Sequence, residues 1–164
     1  MKNNTLIVLS SFHHNNTRKI AEVIAATMSA KIVETRDINI EELKEYDLIG
    51  FGSGIYDAHH HQSQLNMVDA LPVVYGKHAF IFSTTGAPKF IVNNTFIKNN
   101  HSLIRKKLEA KGYIVIGEFG CRGWNTNKFL KYFGGLNKGH PNNEDLSDAE
   151  KFAETLSRKS NQYI

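Results

Sequence analysis

The chain has one cysteine, Cys121, in 164 residues. An intramolecular disulfide is therefore excluded, and the fold must rest on its core. There are three prolines, Pro72, Pro88 and Pro141, all at loop or boundary positions, so none interrupts a helix or strand. No apolar run approaches the roughly 20 residues that a membrane span needs. The short run near the amino end also lacks a cleavage pattern. A cytoplasmic protein with no membrane association is expected. There is no long run of one charge sign, no repeat and no low-complexity tract. The net charge is +4 and the pI about 9.1. Such a mild excess admits acidic partners but gives no case for nucleic-acid binding, and none is expected. The length suits one domain, residues 1–164, with a substantial core.

What is present first is an apolar, β-branched run, Leu6-Ile7-Val8-Leu9, which reads as a strand buried on both faces. Residues 10–17 follow, Ser-Ser-Phe-His-His-Asn-Asn-Thr, and then a helical pattern with Ile20, Ala21, Val23, Ile24 and Met28 on one side. Asn15, Asn16 and Thr17 are all candidate helix caps. A helix start offers free N–H groups and the positive end of its dipole, which suit an anion. Ser10, Ser11, Asn16 and Thr17 add donors, with His13 and His14 as further candidates. The stretch reads as a phosphate-binding loop, or equally as a strand-to-helix turn that needed polar caps. Residues 10–17 contain no glycine, so the dinucleotide fingerprint and the nucleoside triphosphate loop are both absent.

Further strands are predicted over 31–35, 47–54, 77–83 and 113–119. Helices are predicted over 63–71, over 95–111 with Gly112 as its cap, and from Asn143 or Ser147 to about Ser157. Residues 39–45 read as a short helix or turn, and a loop of about 20 residues follows the fifth strand. This alternation demands a doubly wound α/β fold: a five-stranded, mainly parallel sheet with helices on both faces. Ligands on such sheets bind beyond the carboxyl ends of the strands. The polar and glycine-rich loops follow strands one, three, four and five, so they gather at one edge.

These loops, in this order, resemble the flavodoxin family over nearly the whole chain, in its short single-domain form. Where the family runs Thr-x-Thr-Gly-Asn-Thr, this chain has Ser-Phe-His-His-Asn-Asn-Thr. The resemblance implies a flavodoxin-like sheet of strand order 2-1-3-4-5 and bound FMN. It implies that Ser11, His13, His14, Asn16 and Thr17 hold the FMN phosphate. Ser53, Gly54, Ile55 and Tyr56 would pack against the isoalloxazine ring. Ser83, Thr84, Thr85, Gly86 and Ala87 would contact the ring edge and ribityl chain. The stretches from Cys121 to Asn125 and from Gly135 to Asn142 match short members of the family and add Cys121 and Trp124 to the site. Tyr56, and after it Trp124, are the candidates to stack on the ring. No glycine follows Tyr56, so a backbone rearrangement at Asp57 is expected to cost roughly 1 kcal/mol more than at glycine.

The activity implied is electron transfer between redox partner proteins, which the positive charge expects to be acidic or neutral, by a monomer or weak homodimer. The alternative is an FMN-dependent quinone or small-molecule reductase using NAD(P)H. A flavin-free binding module on the same scaffold is a third reading. No metal site is expected. The chain has eight histidines, but adjacent ones lack the i, i+4 spacing of helical ligands, and His59-His60-His61 reads as a solvated rim.

Overall fold

The computed structural model describes residues 4–12 and 14–162. The strands are β1 (Thr5–Ser10), β2 (Lys31–Glu34), β3 (Leu48–Tyr56), β4 (His59–His60), β5 (Lys77–Thr85) and β6 (Tyr113–Arg122). The helices are α1 (Asn16–Met28), α2 (Gln62–Ala70), α3 (Asn94–Asn100), α4 (Ser102–Ala110) and α5 (Asn143–Gln162), with 3-10 turns at Ile40–Glu45 and Lys128–Phe133. The main strands pair in parallel in the order β2-β1-β3-β5-β6. The two-residue β4 folds back on the end of β3. With β4 set aside, this is the expected 2-1-3-4-5 order.

Each central strand is buried on both faces because alternate side chains feed two cores. On one side Leu6, Val8, Ile49, Phe51 and Ile81 meet Leu65 and Val68 of α2 and Ile104 and Leu108 of α4. On the other, Ile7, Leu9, Phe80 and Phe82 meet Ile20 and Ile24 of α1 and Ala149 and Leu156 of α5. The glycines of β3 have a packing reason. A Cβ at Gly50 would lie 2.2 Å from the Phe80 ring, and one at Gly52 2.1 Å from the Phe82 ring. Those are direct cross-strand partners, so each ring occupies the space that its neighbour's missing side chain leaves.

Three boundaries differ from expectation. The helix expected over 95–111 is two helices meeting at His101, which is fully buried. Its ring nitrogens lie 2.7 Å from Ser83 Oγ and 3.0 Å from a Glu118 carboxylate oxygen, and its backbone N–H bonds both the Ile97 and the Asn99 carbonyls where the two helices meet. Strands β3, β5 and β6 each run past their expected ends, because the residues that look like loop are still paired. The last helix continues to Gln162, with Ser160 buried beyond Leu156. No helix among the described residues is long and apolar enough to cross a membrane.

Candidate functional site

The loops after β1, β3, β5 and β6 bound a half-open cleft at the carboxyl edge of the sheet, where ligands of parallel α/β sheets bind. Its walls are Asn16 and Thr17 at the start of α1, Gly54, Ile55 and Tyr56 at the end of β3, and Thr84, Thr85 and Gly86 after β5. The loop after β6 closes it with Gly123, Trp124, Asn125 and Asn127, and Phe12 completes the rim. None of these carries a charge, so recognition must come from N–H, O–H and amide groups.

The sequence shapes the end of the cleft at the start of α1. The turn into α1 has no glycine, yet His14 and Asn15 both take left-handed backbone, with φ of 50° and 53°. Left-handed backbone at non-glycine residues is strained and persists only where neighbours enforce it. Here the His14 ring stacks on Trp124, centroids 4.1 Å apart, and its Nε2 lies 2.8 Å from Thr126 Oγ1. Asn15 is the N-cap by position, but its side chain makes no cap bond. Ser11 Oγ does that work, accepting from the Arg18 N–H at 3.2 Å. No carboxylate stands in the first turn of α1. The Asn16 and Thr17 amides are the donors left at a helix start.

The side chains there divide in role. Thr17 Oγ1 lies 2.8 Å from Thr84 Oγ1, both buried. Asn16 Nδ2 donates to the Trp124 carbonyl at 2.9 Å, while its buried Oδ1 has no hydrogen-bond partner. An acceptor so placed suits a ligand hydroxyl, and a phosphate dianion offers it no donor. A polyol phosphate such as the ribityl chain of FMN carries both kinds of group and fits this donor set. Arg18, one residue further along α1, pairs with Glu34.

At the other loops, Tyr56 is half-buried and burial raises its pKa. The His61 ring touches it edge-on, centroids 5.2 Å apart, and lies 4.5 Å from that of Phe12. Asp57 and Ala58, with φ of 48° and 64°, form a two-residue turn of the type that favours Asn-Gly. The left-handed backbone that looked costly at Asp57 is thus already adopted. Strand alternation then turns His60 inward: it is 2 % exposed, and neither ring nitrogen has a partner. The expected solvated rim is instead a strand with His59 out and His60 in. His61 Nδ1 caps α2, accepting from the Ser63 N–H at 3.2 Å. Among the described residues no three His, Cys, Asp or Glu side chains are grouped to hold a metal ion.

Of the expected site residues, six do not line the cleft: Ser11 and His14, described above, and Ser53, Ser83, Cys121 and Ala87. His13 falls outside the described residues. Ser53 is buried, accepting from the His61 N–H at 3.0 Å and donating to the Gly54 carbonyl, so it braces the β3–β4 turn. Ser83 is buried at the head of a chain to His101, Glu118 and Arg105. The ionised carboxylate only accepts, so His101 Nδ1–H donates to it and Ser83 O–H donates to Nε2. Two Arg105 bonds, at 2.6 and 2.8 Å, complete the set. Burial raises the Glu118 pKa, but the bonds from His101 and Arg105 outweigh it and hold it at about 2. Cys121 is 6 % exposed, packs in the core beneath α1 and α5 and does not line the cleft, and has its thiol pKa pushed up by burial. Ala87 does not line the cleft but holds the β6 loop, its carbonyl accepting from Asn137 Nδ2 at 2.9 Å. Sequence reasoning missed Phe12, Gly123, Asn125 and Asn127 as cleft residues; the first reads as a hydrophobic residue in a polar loop, and the others as ordinary loop glycine and asparagines.

Comparison with known proteins places this architecture. The model of the flavodoxin domain family matches residues 6–123. An uncharacterized protein of Methanocaldococcus jannaschii, MJ0298, is 43 % identical over 152 residues, covering 92 % of this chain and 96 % of that protein. The crystal structure of oxidised flavodoxin 2 from Bacillus cereus superposes with a TM-score of 0.69 at 18 % identity, covering 95 % of this chain and 99 % of the other. A short-chain flavodoxin associated with a bacterial microcompartment does so with a TM-score of 0.67 at 15 % identity, over 98 % and 99 %. At such identities the two structures share the fold with this chain.

Proposed function

The chain belongs to the flavodoxin family, and from that premise we propose that it holds FMN in the cleft and carries electrons between redox partner proteins. The observation that carries this reading is the convergence on one cleft of a carboxylate-free helix start, a buried threonine pair and a half-buried aromatic, Tyr56. The Asn16 and Thr17 amides and the Thr17 hydroxyl would hold the phosphate. The Asn16 Oδ1 would accept from a ribityl hydroxyl. Tyr56, Gly54 and Gly86 would flank the ring. Bound flavin supplies the one- and two-electron chemistry; the chain's part is to position it and exclude water. In this reading the protein works in the cytoplasm, as a monomer or weak homodimer, with acidic redox proteins as partners.

The reductase alternative has one observation in its favour. A second hollow, of about 430 Å³, is bounded by Tyr56, Asp57, His59, His60 and Leu103 and shares Tyr56 with the cleft, so a second ligand would have room beside the ring. Rapid turnover of a quinone with NADH or NADPH and no added reductase would select it.

The visible spectrum tests both. The purified protein should show flavin absorption, and acid should release FMN and not FAD. A colourless protein that cannot be reconstituted with FMN would end both readings.

A further inference from the structure

We infer that the rim of the cleft formed by the loops after β5 and β6 is a docking surface for an acidic redox protein; the inference rests on the proposed function. Two independent features coincide on this rim.

The first is exposed aromatic surface. Phe129, Tyr132 and Phe133 in the 3-10 turn are 65 %, 77 % and 81 % exposed, and Phe90 in the β5 loop is 85 % exposed. Isolated exposed apolar residues need no explanation, but clustered ones mark interaction sites. The turn is anchored to the cleft. Trp124 Nε1 donates to the Gly134 carbonyl at 3.1 Å, the Gly135 N–H to Leu130 at 2.8 Å, and Asn125 pairs with Leu136. The β5 and β6 loops are joined by the Gly123 N–H to the Thr85 carbonyl at 2.8 Å and by the Asn137–Ala87 bond. The aromatic groups therefore sit on a braced rim around the site where the flavin is placed.

The second is charge of one sign. Residues 84–100 and 119–142 contain Lys89, Lys98, Arg122, Lys128, Lys131 and Lys138, and no Asp or Glu. Residues 10–17 contain no carboxylate either, and the β3–β4 turn has only Asp57. Lys89, Lys131 and Lys138 are exposed, and the Lys131 ammonium lies 5.0 Å from the centre of the Tyr132 ring. The carboxylates next in sequence open α5: Asp145 is engaged by His140 Nδ1 and the Asn142 N–H, at 2.6 and 2.8 Å, and with Asp148 it lines a hollow shared with Lys89 and Arg122, while Lys131 and Lys138 lie outside that hollow. Glu41, Glu42, Glu45 and Asp47 lie near the far edge, beside the start of β5, where Lys77 bonds the Leu43 and Tyr46 carbonyls. Aromatics with lysines around them, next to a redox centre, match a partner presenting an apolar contact ringed by carboxylates. Nucleic acid fits less well, because the lysines are spaced around the rim and form no continuous track.

The test uses the full-length protein and a labelled acidic probe, a plant-type [2Fe–2S] ferredoxin, with binding read by fluorescence anisotropy and flavin content read separately. A basic c-type cytochrome and a single-stranded oligonucleotide serve as competing probes. Ferredoxin should bind at low ionic strength and be released as ionic strength rises from about 0.01 to about 1 M, which shortens the Debye length from about 30 to about 3 Å. Lys131→Glu with Lys138→Glu should weaken it about tenfold, and Lys131→Gln with Lys138→Gln less. Tyr132→Ser with Phe133→Ser should weaken it without changing its salt dependence. All four positions are exposed, so thermal midpoints should match the parent. Equal binding by parent and both lysine variants, tighter binding of the cytochrome, or tighter binding of the oligonucleotide would each overturn the proposal. A flavin-bearing protein that ignores ferredoxin refutes the docking surface alone; a flavin-free protein that binds it refutes the cofactor reading.

Discussion

Thr17 and Thr84 share a hydrogen bond, Oγ1 to Oγ1 at 2.8 Å, that joins the start of α1 to the end of β5 within the cleft wall. A hydroxyl has one proton to donate. If Thr84 donates to Thr17, the Thr17 proton is free for a ligand, and the helix start gains an oriented donor that is already desolvated.

Replacing Thr17 by Val keeps its shape and removes that donor. FMN affinity should fall by roughly 1.5–3 kcal/mol, the worth of a hydrogen bond to a charged acceptor. Riboflavin, which lacks the phosphate, should lose far less. Fluorescence titration with both flavins measures the difference, and equal losses would show that Thr17 does not face the phosphate.

The β3–β4 turn holds Ala58 at φ 64°, where its Cβ is strained. Ala58→Gly should stabilise the protein by about 1 kcal/mol, since the left-handed region costs a non-glycine residue roughly 1–2 kcal/mol and glycine's greater unfolded freedom offsets part of the gain. Chemical denaturation gives the number. A loss of stability would mean that the turn is not left-handed at Ala58.

Two buried imidazoles make stability depend on pH. Burial, together with the nearby His101 and His59, lowers the His60 pKa well below its ordinary value. Burial also lowers that of His101, against the opposing pull of Glu118. Unfolded imidazoles take up protons near pH 6.5. The unfolded chain therefore binds more protons below that pH, and stability falls as the pH drops through the folded values. Glu118, held at about 2, adds a further loss below about pH 4.3, where its unfolded carboxyl protonates. Replacing His60 with Phe removes two unpartnered buried nitrogens. It should raise stability by about 1 kcal/mol at neutral pH and more at pH 5.5. Denaturant midpoints at the two pH values check this; an unchanged pH slope would show that His60 contributes nothing to it.

Cys121 should not react with an aromatic disulfide reagent while the protein is folded, because its thiol is buried and its thiolate disfavoured. In denaturant one thiol should react at once. Fast labelling of the folded protein would mean that the β6 edge opens readily.

The fold was legible because the apolar runs, the helical periods and the loops between them all pointed one way. Leu6–Leu9 reads as buried, and it is. Tyr56, Thr84, Gly86 and Trp124 were named from the sequence and line one cleft. What was not legible depended on contacts distant in the chain. Nothing in residues 95–111 announces that His101 will turn inward, because its partners Ser83 and Glu118 come from two separate strands. The three histidines at 59–61 look equivalent until a two-residue turn fixes their alternation, and the turn lacks the Asn-Gly that would signal it. Ser53 and Ser83 end the strands expected over 47–54 and 77–83, and the resemblance gives them to the ligand; both are paired within the sheet, where their hydroxyls serve the interior.

The paired Gly50–Phe80 and Gly52–Phe82 positions constrain how this sequence can change over time. A methyl at either glycine meets an aromatic ring at about 2 Å, and a smaller side chain at either phenylalanine leaves a hole beside a bare backbone. Neither member of a pair can drift alone without a loss that most domains could not survive. The viable route is a compensated double step, ring shrinking as methyl appears, or none. Across descendants of this chain, these four positions should therefore change in couples, while their neighbours Phe51 and Ile81, whose side chains point to the other core, exchange among similar apolar residues one at a time.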